Sequence, residues 1–216
     1  MSKTRIAIQG ELGAYSHIAA ESLYKDAEIK TCATFEETFK YAYNDQNFKI
    51  VIPIENSLAG RVADIHYLLP KYKLQIHGEH FQAVEHNLLC KREASIDDIK
   101  FVRSHAQAIG QCQNMINKRK FKPIISADTA GSAKDLAEGE DKSIAAIASE
   151  LSAKIYNLKI LEKNIEDEKG NVTRFLIMGK NIEQPEFSQN KKFITSCIFR
   201  VKSEPSALYK CLGGFA

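Results

Sequence analysis

Several short stretches of this chain carry residue types that can do chemistry. In Asn171-Val172-Thr173-Arg174-Phe175 a guanidinium can clamp a carboxylate through two parallel hydrogen bonds, and a threonine hydroxyl can donate to a leaving oxygen. The same residues also make an ordinary strand opening with Thr173 and Arg174 facing solvent. Pro53-Ile54-Glu55-Asn56-Ser57 offers a carboxylate, an amide and a hydroxyl in succession, and an amide both donates and accepts. Asn and Ser are equally common in turns. Arg103-Ser104-His105-Ala106-Gln107 continues toward Gln111 and Cys112, with Gln107 and Gln111 four apart on one expected helix face. His105 can act as an acid or base, although a histidine opening a helix more often caps or packs. Gln9-Gly10-Glu11-Leu12-Gly13-Ala14-Tyr15-Ser16 combines a glycine turn with a helix N-terminus able to face an anion, but it lacks the dinucleotide fingerprint. A plain turn with Ser16 as cap explains it as well. Asp128-Thr129-Ala130-Gly131-Ser132 permits close backbone approach or is a simple Asp cap.

The elements that must position these groups read as strand–helix alternation. Strands are expected at residues 4–8, 28–33 and 49–53, with helices at 15–25, 35 onward behind a Thr34/Glu37 capping box, and 62–69 ending near Pro70. A second series has strands at 74–80, 87–91, 101–103, 124–126, 143–147, 159–164 and 174–178. Its helices fall at 107–118, 129–138 and 149–156. Such a pattern predicts an α/β fold with mainly parallel sheets, two lobes and a cleft beyond the carboxyl ends of the strands. Residues 181–192, polar and containing Pro185, read as a linker. Residues 193–201 alternate like a strand, and residues 206–215 begin an amphipathic helix.

The 216 residues are 44% hydrophobic and 26% charged, enough for a substantial core in one large or two small domains. A net charge of +3 with scattered Lys and Arg argues against nucleic acid, and no apolar run nears the roughly 20 residues of a membrane span. The chain opens directly into its first strand without a signal-peptide pattern. Its five cysteines form no C-x-x-C pair, so reduced thiols in a cytoplasmic protein are expected.

In order and spacing, Gly10-x-x-Gly13-Ala14-Tyr15-Ser16, Pro53-Ile54-Glu55-Asn56-Ser57, Ser104-His105-x-Gln107 with Gln111-Cys112, and Asn171-x-Thr173-Arg174-Phe175 resemble the prephenate dehydratases. The likeness covers about residues 4–180 and includes Glu85-His86-Asn87-Leu88-Leu89. It implies a catalytic domain over residues 1–180, shaped like a type II periplasmic binding protein. One lobe would take about 1–80 plus 166–180, the other about 81–165, with the active site in the cleft. It further implies conversion of prephenate to phenylpyruvate, water and carbon dioxide in phenylalanine biosynthesis, without metal or organic cofactor. Arogenate dehydration and non-catalytic binding of a small anion are the alternatives.

By the same resemblance Thr173, Asn56, Ser104 and Gln111 are the catalytic candidates. Arg174, Phe175, Tyr15, Ser16, Glu55, Ser57, Gln107 and Thr129 are the substrate-binding candidates. Residues 193–216 resemble the opening of an α+β ACT regulatory domain, incomplete here, for which L-phenylalanine would be the effector. A homodimer or homotetramer is the assembly the resemblance implies. Two positions depart from the family pattern: Ala106 stands where a proline is common, and Ser206 where the ACT segment has glycine.

Overall fold

In a computed structural model of the chain, residues 3–181 and 186–215 are described. The elements run β1 (Arg5–Gln9), α1 (Tyr15–Leu23), β2 (Glu28–Cys32), α2 (Phe35–Asn44), β3 (Phe48–Asn56), β4 (Gly60–Arg61), α3 (Ala63–Tyr72) and β5 (Gln75–Ala83). Then come β6 (Asn87–Cys90), β7 (Phe101–His105), α4 (Ala106–Gly110), α5 (Gln113–Arg119), β8 (Lys122–Ser126), α6 (Thr129–Glu138), β9 (Ile144–Ala148), α7 (Glu150–Ile155), β10 (Lys159–Glu162) and β11 (Val172–Gly179). A last helix, α8 (Ala207–Gly213), lies in a separate unit, since the chain divides into residues 1–182 and 183–216.

Two sheets form the larger unit. The first has the order β2-β1-β3-β11-β5 with β4 beside β3, and the second β10-β6-β9-β7-β8. Each is buried on both faces. Ile50, Ile52 and Ile54 of β3 join Phe39 of α2 and Ile65, Leu68 and Tyr72 of α3, whereas Val51 joins Ala19 and Ala20 of α1. In the second sheet Leu88 packs with Ile109 and Ile116, and Leu89 with Ala133 and Ala153. Strands covered on both sides read as continuous apolar runs, which is how the sequence revealed them.

Four expectations need correction. The sheets are mixed: β1 runs parallel to β2 and β3, but β11 is antiparallel to both β3 and β5, and β6 to both β9 and β10. A hydrophobic run does not encode strand direction. The third helix continues through Pro70 to Tyr72, because Ile65, Leu68 and Tyr72 anchor its last turn in the core. The expected helix over 107–118 is two helices, broken at Gln111–Cys112. Asp167 N–H donates to the Gln111 carbonyl at 2.7 Å, and the Asp167 carboxylate accepts from Asn114 N–H at 3.0 Å, capping α5. Residues 193–201 form no strand; among the described residues they have no ladder partner. Of the expected linker, residues 182–185 fall outside the described residues.

The capping box at α2 is shifted by one residue. Glu37 N–H donates to Thr34 Oγ1 at 3.1 Å, but the Glu37 carboxylate accepts from Ala33 N–H rather than from Thr34.

Candidate active site

The backbone crosses between the two sheets twice, and the crossing segments are bonded to each other. Val84 N–H donates to the Asn171 carbonyl, Ile165 N–H to the His86 carbonyl, each at 2.9 Å, and His86 N–H to the Glu166 carboxylate at 3.0 Å. Beside this crossing, residues from several distant stretches meet.

Asn56 is the anchor. Its Oδ1 accepts from Leu58 and Ala59 N–H at 3.0 and 2.9 Å, so its amide can point only one way. Nδ2 then donates to Thr173 Oγ1 at 2.9 Å and to Asn171 Oδ1 at 2.6 Å. Asn171 Nδ2 donates to Gln111 Oε1 at 3.1 Å, and His86 Nε2 lies 2.9 Å from that same oxygen. His86 Nδ1 is 3.2 Å from the Tyr15 hydroxyl, which donates to the Glu85 carbonyl at 2.6 Å. Ser57 fastens the entry to β11, accepting from Val172 N–H at 2.9 Å.

The pairing of β3 with β11 explains why Asn56 meets Thr173. Phe175 faces Pro53, but Arg174 faces Glu55 and Thr173 faces Asn56, a one-residue shift of register. Without that extra residue in β3, Thr173 would face Glu55. Alternation along β11 sends Thr173, Phe175 and Ile177 to the α1 side and Arg174, Leu176 and Met178 to the α2–α3 side.

Arg174 and Glu55 therefore leave the sheet away from Thr173. The guanidinium donates to Glu79 through Nε at 2.8 Å and to Glu55 through Nη1 at 3.2 Å. Phe175, 1% exposed, packs with Ile6, Ile8 and Val51, so it belongs to the core rather than to a substrate surface. Ser104 is fully buried and its hydroxyl donates to the Ile147 carbonyl at 2.7 Å, inside the second sheet. His105 caps α4 by accepting from Gln107 N–H at 3.3 Å, and Asp128 caps α6 by accepting from Gly131 N–H.

Ser16, Gln107 and Thr129 make no side-chain hydrogen bond among the described residues. Ser16 is buried in the first turn of α1 without capping it, Gln107 is exposed, and Thr129 is half-buried at the start of α6. The glycine turn is a junction rather than a cradle: Gly13 O accepts from Ser149 Oγ at 2.6 Å and Ser152 Oγ at 3.1 Å, joining the first lobe to the N-terminus of α7.

Within the network around Asn56, two donors remain free toward accessible space. No buried side-chain nitrogen or oxygen among the described residues lacks a partner, so the unbonded Nε2 of Gln111 is not sealed in. Thr173 is mostly buried, but its hydroxyl only accepts, leaving its hydrogen uncommitted. Burial, with Glu166, Cys112 and Glu85 around it, pushes the Tyr15 phenol well up, so it stays protonated. Burial also pushes the Cys112 thiol up to about 12, with Asp167 and Glu166 adding to the effect, which makes it unreactive. His86 is driven down by burial, against the opposing pull of Gln111 and Glu166.

His86 and Asn171 lie at the centre of the network, yet sequence reasoning quoted them without giving either a role. The available signal was a polar residue heading an apolar strand, at His86-Asn87 before Leu88-Leu89 and at Asn171 before β11.

Compared with known proteins, residues 6–183 match the family model for prephenate dehydratase. The chain belongs to the prephenate dehydratase family. It is 40% identical to arogenate dehydratase/prephenate dehydratase 2, chloroplastic, of Arabidopsis thaliana, a likeness covering 100% of this chain and 56% of that relative. It is 39% identical to the bifunctional N-acyl-homoserine lactone acylase/prephenate dehydratase of Komagataeibacter europaeus, over 98% of this chain and 75% of that one. The solved prephenate dehydratase of Staphylococcus aureus superposes with a TM-score of 0.75 at 26% identity, covering 98% of this chain and 78% of that chain. The chain thus spans little more than half of the plant relative. The two-lobed, periplasmic-binding-protein-like fold of the prephenate dehydratase family fits the two sheets described above.

Proposed function

We propose that this chain is the dehydratase part of an enzyme of phenylalanine biosynthesis, acting on prephenate to give phenylpyruvate, carbon dioxide and water. The ring carboxylate leaves as carbon dioxide, its bonding electrons enter the ring, and the ring hydroxyl departs with a proton as water. Aromatisation drives the reaction, so the protein need only hold the substrate and assist the leaving oxygen.

One observation carries this reading: the Thr173 hydroxyl accepts from an Asn56 amide that the backbone holds in one orientation, which leaves its hydrogen for the leaving oxygen. A threonine hydroxyl is too weak an acid to ionise, so it acts as an oriented donor. Such donors are worth about 3–4 kcal/mol at a transition state. Gln111 Nε2 and Ser16 Oγ are the donors we assign to substrate oxygens. The ion pairs of Arg174 support a structural role for that residue instead.

The catalytic part is residues 1–180, and residues 193–216, which include α8, are the opening of an ACT-like regulatory domain. L-phenylalanine as effector and a homodimer or homotetramer follow from the family resemblance, and a cytoplasmic location from the cysteine pattern.

The deciding experiment offers the purified chain prephenate and arogenate, following phenylpyruvate and phenylalanine. Turnover of prephenate is expected. Turnover of arogenate alone would move the assignment to the amino-acid analogue, and turnover of neither would end the enzyme reading.

A further inference from the structure

The amides of the network can be assigned one after another from a single fixed point. Leu58 and Ala59 N–H can only donate, so Asn56 Oδ1 must accept and Asn56 Nδ2 must face Asn171. Asn171 then presents Oδ1 to Asn56 and Nδ2 to Gln111. Gln111 must answer with Oε1, and the His86 Nε2 against that oxygen, at 2.9 Å, must carry a hydrogen. In the neutral ring Nδ1 is then an acceptor, 3.2 Å from the Tyr15 hydroxyl, whose single hydrogen it shares with the nearer Glu85 carbonyl at 2.6 Å.

We propose that His86 is a positioning residue, whose Nε2–H holds the Gln111 amide so that Gln111 Nε2 is presented to the substrate. This rests on the reading of the site as a dehydratase centre. His86 itself transfers no proton and reaches the reaction only through Gln111. Its place in the crossing between the lobes suits the task, since its backbone is fixed on both sides by Glu166 and Ile165.

Two measurements test it. Nitrogen-15 NMR of the wild-type protein, at about pH 7.5 where a histidine of lowered pKa is neutral, is expected to find the His86 proton on Nε2; a proton on Nδ1 alone would overturn the assignment. In kinetics, His86→Leu should lower kcat at least about tenfold with KM within about threefold. His86→Gln, which keeps a donor in the Nε2 position, should recover most of that loss and leave the pH profile of kcat unchanged.

The decisive comparison is made in a Gln111→Leu background, where His86→Leu should cost nothing further because its only route is gone. Multiplying losses in an active enzyme would sink this inference and leave the dehydratase reading standing. Absence of turnover by the wild-type protein would remove both.

Discussion

Adjacent in the chain, Thr173 and Arg174 leave β11 on opposite faces. Thr173 turns to Asn56, and Arg174 to Glu55 and Glu79. Replacing Thr173 by valine keeps the volume but removes the donor, while Asn56 Nδ2 retains its bond to Asn171 Oδ1. We expect kcat to fall by about 10²–10³-fold with stability changed by no more than about 1 kcal/mol. Thr173→Ser should keep most of the turnover. A valine variant within a fewfold of wild type would remove Thr173 from the chemistry. The motif around Thr173 was legible in the sequence as a pattern. The separation of Thr173 from Arg174 was not, because a one-residue register shift between β3 and β11 decides which groups share a face, and strand pairing is not written locally.

At the scale of elements, the break between α4 and α5 shows a different kind of illegibility. Ala108, Ile109, Cys112, Met115 and Ile116 keep a helical apolar spacing straight across it, so the sequence reads as one helix. Asp167, far along the chain, interrupts it by taking the Gln111 carbonyl and capping α5. The glycine turn before α1 was visible as a turn, but its partner was not. A Cβ on Gly13, at φ +90°, would overlap Ser152 Oγ and lie 2.8 Å from the Ser152 Cα. Gly10, at φ +97°, has Ala14 Cβ at an ordinary 3.8 Å. Gly10→Ala should therefore cost only backbone strain, about 1 kcal/mol. Gly13→Ala should cost clearly more, about 2–4 kcal/mol, as the α7 terminus is pushed away. Thermal unfolding of the two variants checks this: equal shifts would mean that α7 yields freely.

Over the whole molecule, three histidines answer to acid. Burial lowers His17, His77 and His86, so the unfolded chain takes up protons at these rings before the folded chain does. The stability they contribute is complete above about pH 6.5, the unfolded value, and is lost as pH falls through their lower folded values. His17 adds a structural consequence, since its Nδ1 accepts from Gly13 N–H at 3.0 Å and cannot do so once protonated. Urea midpoints should be level from about pH 8 to 7 and decline from about pH 6.5 downward; a midpoint that rose there would contradict the direction of these shifts. The alternation of elements and the two lobes were read from the repeated strand–helix pattern. The antiparallel strands were not, since direction depends on where the chain goes between strands.

The order of the first sheet bears on how the protein is made. β11 lies between β3 and β5, and among the described residues β5 pairs with no other strand, yet β11 follows the entire second sheet in sequence. During synthesis the first lobe must wait, an interior strand missing, until the second lobe has left the ribosome. The strand that completes the sheet also brings Thr173. A nascent or prematurely ended chain is thus unfinished and without its proposed donor for the same reason, and proofreading of the fold is at once proofreading of the site.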